Sequence, residues 1–124
     1  MTIGKDAIFV FGSNLAGRHG KGAAKDALNK YGAIYGIGEG PVGQSYALPT
    51  KDARLQSRTL PDIQVSVNKF TLYANQCSDL HFYVTRVGCG LAGFTDNQIA
   101  PMFKGAPPNC QLPEGWRDIN NESV

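Results

Sequence analysis

The chain has 124 residues, of which 42% are hydrophobic and 18% charged, and this ordinary globular composition excludes a disordered chain, a coiled coil and collagen. The net charge of +2 gives no argument for nucleic-acid binding, and no apolar run approaches the roughly 20 residues of a membrane span or forms a signal peptide. Three cysteines without CxxC spacing argue against a disulfide framework and a structural zinc site, so we expect a cytoplasmic protein without metal.

The first half of the chain predicts a strand, a helix and a second strand. The apolar run Ala7–Phe11 is typical of a buried strand. Within Lys21–Lys30 the alanines and the leucine share one helical face, and Gly32 follows as a natural stop. Ser45–Leu48 predicts the second strand, which Pro49 ends.

The second half predicts two more strands and two more helices. Pro61 is suited to a helix start, and the apolar residues between Ile63 and Cys77 recur at steps of four and three. His81–Val87 is rich in β-branched and aromatic residues, which favours a strand. The segment Thr95–Gln98 has the pattern of a capping box at the start of a helix, and Asn109–Leu112 predicts a last strand.

This alternation of strands and helices predicts one α/β domain. We expect a three-layer sandwich whose sheet is mostly parallel or mixed and carries helices on both faces. The domain would span residues 1–112, with residues 113–124 as a C-terminal tail. In such a sheet, ligands bind beyond the carboxyl ends of the strands.

Glycine is the unusual component, with 15 residues of 124. Twelve of them fall into three groups, within residues 12–22, 32–43 and 88–93. The first and third groups each follow a predicted strand and precede a helix, where free N–H groups favour phosphate. The middle group has no helix after it, so we expect a turn or flap beside the pocket.

Two common phosphate-binding folds fit poorly. Gly88-Cys-Gly-Leu-Ala-Gly93 matches the dinucleotide pattern G-x-G-x-x-G, but the chain that follows is too short for the rest of such a fold and offers no ribose-binding acid. Gly12 and Gly17 have the spacing of a P-loop, but Arg18-His19 stands where that loop needs Lys and Ser or Thr.

Three motifs in order are more specific than any one loop. Asn14 is followed by Gly17, Gly20, Gly22 and Ala24 at the entry to a helix; Pro49-Thr-Lys51 follows the second strand; Gly88-Cys-Gly-Leu91 follows the third. This set resembles the macrodomain family, which binds ADP-ribose. It is most similar to the branch of DNA ADP-ribosyl glycohydrolase antitoxins and deacylating macrodomains.

The resemblance implies a set of site residues. Lys51 matches the catalytic lysine of the glycohydrolases, and Asn14, which would contact the distal ribose, is the second catalytic candidate. Cys89 stands between glycines at a helix N-terminus, a position that can lower the pKa of a thiol. The implied ligand-binding set is Gly12, Ser13, Asn14, His19, Gly20, Lys21, Gly22, Ala23, Thr50, Lys51, Gly88, Cys89, Gly90, Leu91, Ala92, Gly93 and Phe94.

The sequence leaves three functions open. The first is a protein that binds ADP-ribose or a derivative and hydrolyses ADP-ribosyl conjugates of DNA or protein, with no cofactor. In that case Lys51 would attack the ribose as a neutral amine or stabilise charge on a leaving group. The second is a non-catalytic binder that sequesters or senses an ADP-ribose-like nucleotide, for example in phage–host defence. The third is an interaction domain with an empty pocket.

Overall fold

The computed structural model describes residues 6–122, which form a five-stranded sheet with helices packed on it. Its elements alternate much as the sequence predicts. In chain order they are β1 (Ala7–Asn14), α1 (Gly22–Lys30), β2 (Gly40–Val42), β3 (Ser45–Lys51), α2 (Leu60–Gln76), β4 (His81–Val84), α3 (Asp96–Ile99) continued by a 3-10 helix (Ala100–Phe103), β5 (Cys110–Gln111) and α4 (Trp116–Glu122).

The sheet is mixed, with the strand order β2-β3-β1-β4-β5. The central strand β1 pairs in parallel with both β3 and β4, and β5 extends the sheet in parallel beyond β4. Only the edge strand β2 is antiparallel, paired with β3. The predicted α/β class with a mixed sheet is therefore confirmed.

Side chains of β1 alternate between two cores, as the pleat of a strand requires. Ile8 and Val10 belong to the larger core, which α2, the 3-10 helix and α4 cover. Phe9 and Phe11 belong to the smaller core, which α1 covers. Helices therefore pack on both faces of the sheet, an arrangement compatible with the predicted three-layer sandwich.

The chain direction creates a crevice between β1 and β4. After β1 the chain crosses through α1 to β3 on one side, and after β4 it crosses through α3 to β5 on the other. The two connections therefore leave the sheet in opposite directions at neighbouring strand ends. Such a topological switch point is where open α/β sheets hold ligands.

Two predicted helix starts are confirmed in detail. Thr59 caps α2, accepting a hydrogen bond from the Asp62 N–H, and Pro61 lies in the first turn. At the start of α3, the Thr95 N–H donates to Gln98 Oε1 at 2.9 Å. Each side chain satisfies a polar group that a helix start would otherwise leave unpaired.

Several elements differ from the sequence prediction. β1 runs on to Asn14, because Gly12 and Ser13 still pair with β3, so these residues lie on a strand rather than in a loop. β4 ends at Val84, three residues earlier than predicted. The middle glycine segment contains β2, and the expected tail contains α4, whose Trp116 is fully buried in the larger core.

Candidate functional site

A cleft of about 740 Å³ lies at the carboxyl ends of β1, β3 and β4. Its size is typical of a site for a small molecule or a nucleotide. Three segments of chain supply most of its wall: the end of β1 with the start of α1, the end of β3, and the loop after β4. The lining residues are Gly12, Ser13, Asn14, Arg18, Gly20, Lys21, Gly22, Ala23, Ala24, Tyr35, Thr50, Lys51, Leu55, Thr85, Arg86, Val87, Gly88, Cys89, Gly90, Leu91 and Ala92.

The cleft brings together all but three of the residues that the sequence proposed for the site. The exceptions are His19, Gly93 and Phe94, which do not line it. Gly93 is exposed, with a positive φ of 85°, in the turn before α3. Phe94 is half-buried and packs against the larger core.

His19 is a structural residue and not a ligand contact. Its side chain is fully buried, and its ring meets that of Phe11 edge to face at 5.2 Å. Nε2 lies 3.1 Å from the Ile34 carbonyl oxygen and 3.0 Å from that of Ile37. Because both neighbours are acceptors, Nε2 must carry the proton and donate. The ring therefore ties the loop after β1 to residues 34–37.

Asn14 lines the cleft but also closes the turn that follows β1. Its Nδ2 donates to the Arg18 carbonyl at 2.8 Å, and its Oδ1 accepts from the Arg18 N–H at 2.9 Å. This is the side-chain-to-backbone bonding that favours Asn in turns. Asn14 is 9% exposed. A ligand contact would therefore use the second hydrogen of its amide nitrogen or the second lone pair of its amide oxygen, which these two bonds leave free.

Lys51 stands at the end of β3, opposite Asn14 in the register of the sheet. The Lys51 carbonyl accepts from the Leu15 N–H at 3.0 Å, and the backbone of Lys51 also forms an isolated antiparallel β-bridge with that of Ser57. The backbone of Lys51 is thus fixed on both sides, while its half-buried side chain lines the cleft. Within residues 6–122 no hydrogen bond or ion pair of its ammonium group is found.

The N-terminus of α1 opens into the cleft. Lys21 is the N-cap residue and makes no side-chain cap, and the first bond of the helix runs from the Lys25 N–H to the Lys21 carbonyl. The N–H groups of residues 22–24 precede that bond and so lack a partner within the helix. Residues 22–24 all line the cleft, which presents these donors and the positive end of the helix dipole to a ligand.

Two glycines leave the cleft wall open. A Cβ built on Gly20 or on Gly90 would meet no other atom within 4 Å, and both residues line the cleft. Gly88 has a positive φ of 78°, which only glycine adopts without strain. The backbone of residues 88–90 can therefore approach a ligand without side chains in between.

The loop after β4 is held by Asp96, the first residue of α3. Its carboxylate accepts from Trp116 Nε1 at 2.8 Å, lies 3.7 Å from Cys89 Sγ and forms an ion pair with Arg86. The loop is thereby anchored to the buried indole of α4. Burial and the neighbouring Asp96 carboxylate raise the pKa of Cys89, so the expectation of a lowered thiol pKa is wrong.

The segment between β3 and α2 contributes one residue, Leu55, to the wall of the cleft. Ser57 Oγ donates to the Ala92 carbonyl, which joins this segment to the loop after β4. Asp52 Oδ1 accepts from the N–H groups of Arg54 and Gln56, and this turn holds Leu55 at a positive φ of 64°. Leu55 therefore lines the cleft from a backbone conformation that few leucines adopt.

The charge of the cleft is one-sided. Among the described residues, four that line the cleft carry a positive side chain and none is an Asp or a Glu; the four are Arg18, Lys21, Lys51 and Arg86. One of these cations, Arg86, shares its charge with Asp96. A ligand with two or more negative charges fits this environment best, because the potentials of positive charges that line a concave site add together and attract anions.

Sequence reasoning missed seven of the lining residues. These are Arg18, Ala24, Tyr35, Leu55, Thr85, Arg86 and Val87. Arg18 and Ala24 lie inside the first glycine motif, and Thr85, Arg86 and Val87 directly precede the third, so their neighbours carried a usable signal. Tyr35 and Leu55 come from connecting segments, and no local pattern marks them.

Within the described chain, residues 6–122, no three His, Cys, Asp or Glu side chains are grouped so as to hold a metal ion. None of the helices in that range is long and apolar enough to cross a membrane.

Comparison of the chain with family models, curated proteins and solved structures found no match. The macrodomain resemblance therefore remains a prediction from three ordered motifs.

Proposed function

We propose that this chain binds ADP-ribose, or a derivative that contains it, in the cleft at the ends of β1, β3 and β4. The observation that carries the proposal is the composition of that cleft. Two glycine-containing strand-to-helix loops line it, and among residues 6–122 it is lined by four cations and by no carboxylate.

The proposed match is between the diphosphate and the two loops. A diphosphate needs several convergent donors, and the first N–H groups of α1 together with the backbone of residues 88–90 are suited to supply them. Arg18 and Lys21 stand beside α1 and would add charge-assisted hydrogen bonds. The ordered motifs at Asn14–Ala24, Pro49–Lys51 and Gly88–Leu91 favour ADP-ribose among diphosphate nucleotides.

Calorimetric titration with ADP-ribose tests the binding proposal. Wild type should release or absorb heat with a saturable 1:1 curve, and Gly90→Leu should abolish it by filling the wall of the cleft. Gly105→Leu is the matched control, because a Cβ on Gly105 also meets no atom within 4 Å and this residue does not line the cleft. No heat from wild type at millimolar ADP-ribose would overturn the proposal.

Hydrolysis of an ADP-ribosyl conjugate is a second candidate, favoured by the position of Lys51 in the cleft wall. The Lys51 amine would bond to the anomeric carbon as the bond to the conjugated group breaks, the leaving group taking the electron pair and a proton. Water would then release ADP-ribose and restore the amine. Alternatively the ammonium group would stabilise negative charge on the departing atom.

The composition of the cleft favours a non-catalytic binder over this enzyme. A general acid or base is usually His, Asp or Glu, and no such residue of the described chain lines the cleft. The other nucleophile, Cys89, has a raised pKa. A protein that sequesters or senses an ADP-ribose-like nucleotide needs the donors and cations of the cleft but no such group.

Lys51→Ala separates the two candidates. An enzyme requires that wild type release ADP-ribose from ADP-ribosylated DNA or protein, and that Lys51→Ala still bind ADP-ribose without releasing it. If wild type binds ADP-ribose but releases nothing from either conjugate, the chain is a binder.

A further inference from the structure

We infer that Tyr35 is the surface on which a planar ring of the bound nucleotide stacks. The inference rests on the proposed nucleotide binding and adds to it the residue that distinguishes a base-containing ligand from a bare diphosphate. Tyr35 lines the cleft and is 60% exposed. Within residues 6–122, it is the only aromatic side chain in the cleft wall.

The segment that carries Tyr35 is fixed at its base. The neighbouring residue Gly36 donates its N–H to the Gly17 carbonyl at 2.8 Å, and a Cβ on Gly17 would lie 2.3 Å from the Gly36 carbonyl carbon. A side chain at position 17 would therefore hold the two backbones apart, whereas a Cβ on Gly36 would meet no atom within 4 Å. The sequence prediction of a flap does not fit these contacts, which are those of a packed segment.

His19 fixes the same segment from beneath. Its Nε2 donates to the carbonyls of Ile34 and Ile37, which flank Tyr35, and its ring meets the Tyr35 ring at 6.2 Å with an angle of 69° between the planes. One edge of the tyrosine is thus held by the imidazole while most of its surface stays exposed. An aromatic ring held before the ligand arrives loses little side-chain entropy on binding.

The other apolar side chains at the cleft are less suited to a nucleobase. Leu55 and Leu91 are 41% and 69% exposed and line the cleft from the segment after β3 and the loop after β4. They can cover a ring but offer no π-surface. Stacking on an aromatic side chain stabilises a bound base and tolerates any base, since every base has a π-face.

The position of Tyr35 also suits the charges of the cleft. Arg18 follows the turn that Asn14 closes, and Gly17, its neighbour in the chain, contacts Gly36. The aromatic surface therefore lies beside the cationic part of the cleft at α1. A ligand with a phosphate on the α1 N-terminus and a ring a few bonds away would contact both the cations and the Tyr35 ring.

Titrations of wild type, Tyr35→Phe and Tyr35→Ala with ADP-ribose, ADP and pyrophosphate test this inference. Tyr35→Ala should lower the affinity for ADP-ribose about 5- to 100-fold, as the loss of one stacked base implies. Tyr35→Phe should bind like wild type, and neither change should alter pyrophosphate affinity. The ADP complex should weaken as well, because adenine is the planar ring that ADP shares with ADP-ribose, and an unchanged ADP affinity would overturn the inference.

The outcomes separate the inference from the proposed function. If wild type binds ADP-ribose and Tyr35→Ala binds it equally well, Tyr35 is no stacking surface although the cleft is a nucleotide site. Equal losses for ADP-ribose and pyrophosphate would also overturn the inference, because they indicate a structural role for Tyr35. If wild type binds none of the three ligands, the proposed function itself fails. Leu91→Ala is the matched control and should lose less ADP-ribose affinity than Tyr35→Ala.

Discussion

Gly38 approaches Asn14 so closely that a Cβ on Gly38 would lie 2.1 Å from the Asn14 carbonyl oxygen. Ser13 Oγ donates to the Gly38 carbonyl at the same place. The end of β1 and the middle glycine segment are therefore packed backbone against backbone. This contact positions both Asn14 and the segment that carries Tyr35 at the cleft.

Gly38→Ala should destabilise the protein by about 3 kcal/mol, because the added methyl group forces two backbone segments apart. The loss is measured by urea denaturation. Gly20→Ala is the matched control: its Cβ would meet no atom within 4 Å, and its stability should stay close to that of wild type. Equal stabilities of the two variants would contradict the packing described.

His19→Ala should lower the free energy of unfolding by about 2–4 kcal/mol. The substitution leaves a cavity beside Phe11 and removes the donor from the carbonyls of Ile34 and Ile37. His81→Ala is the control, because His81 is exposed, and it should change stability little. Thermal denaturation of both variants decides whether His19 is structural; an unchanged melting temperature for His19→Ala would show that it is not.

The stability of the fold should decline between pH 9 and pH 11 through Cys110. Burial raises the pKa of this thiol from its usual 9.0 to about 11. The neutral thiol is favoured in the folded state, so its contribution is complete below pH 9 and is lost as the pH rises through 11.

Urea denaturation under reducing conditions across this range measures the effect of Cys110. The variant Cys110→Ala has no thiol to ionise at this position, so its stability should fall less steeply than that of wild type. The buried Tyr46, whose pKa is raised to about 12, remains in both proteins and contributes equally. Parallel pH profiles would rule out Cys110 as the group responsible.

Neutralising the exposed cations beside α1 should lower the affinity for the proposed ligand. Arg18→Gln and Lys21→Gln should each reduce ADP-ribose affinity about two- to fivefold, as expected for charge pairs that solvent partly screens. Lys25→Gln is the control, because Lys25 lies on the same helix but does not line the cleft. Calorimetry at low salt measures the ADP-ribose affinity of all three variants. If Lys25→Gln loses as much affinity as Lys21→Gln, the effect of Lys21 does not come from a local contact with the ligand.

The elements with strong local patterns were predictable from the sequence. The spacing of Ile63, Val67, Phe70 and Ala74 predicts α2, and all four side chains are fully buried. Helix α4 was missed because Trp116 stands in a polar segment too short to show a period. It forms because the indole packs against Phe103 and donates to Asp96, contacts between residues distant in the chain.

The cleft was predictable where it follows strand ends, and not where it depends on the path of connecting segments. Gly20, Lys51 and Gly90 line it as expected, because parallel strands end at one edge of the sheet. Tyr35 reaches it only through the glycine contacts described above. His19 was wrongly assigned because its burial depends on carbonyls 15 and 18 residues away.

Amide chemical shifts in a ¹⁵N-labelled sample titrated with ADP-ribose report both whether the nucleotide binds and where it binds. If it binds in the cleft, saturable shifts should appear at residues 20–24 and 88–91, with smaller changes on the solvent side of α2. No shifts at millimolar ADP-ribose, or shifts confined to residues outside the cleft, would contradict binding in the cleft.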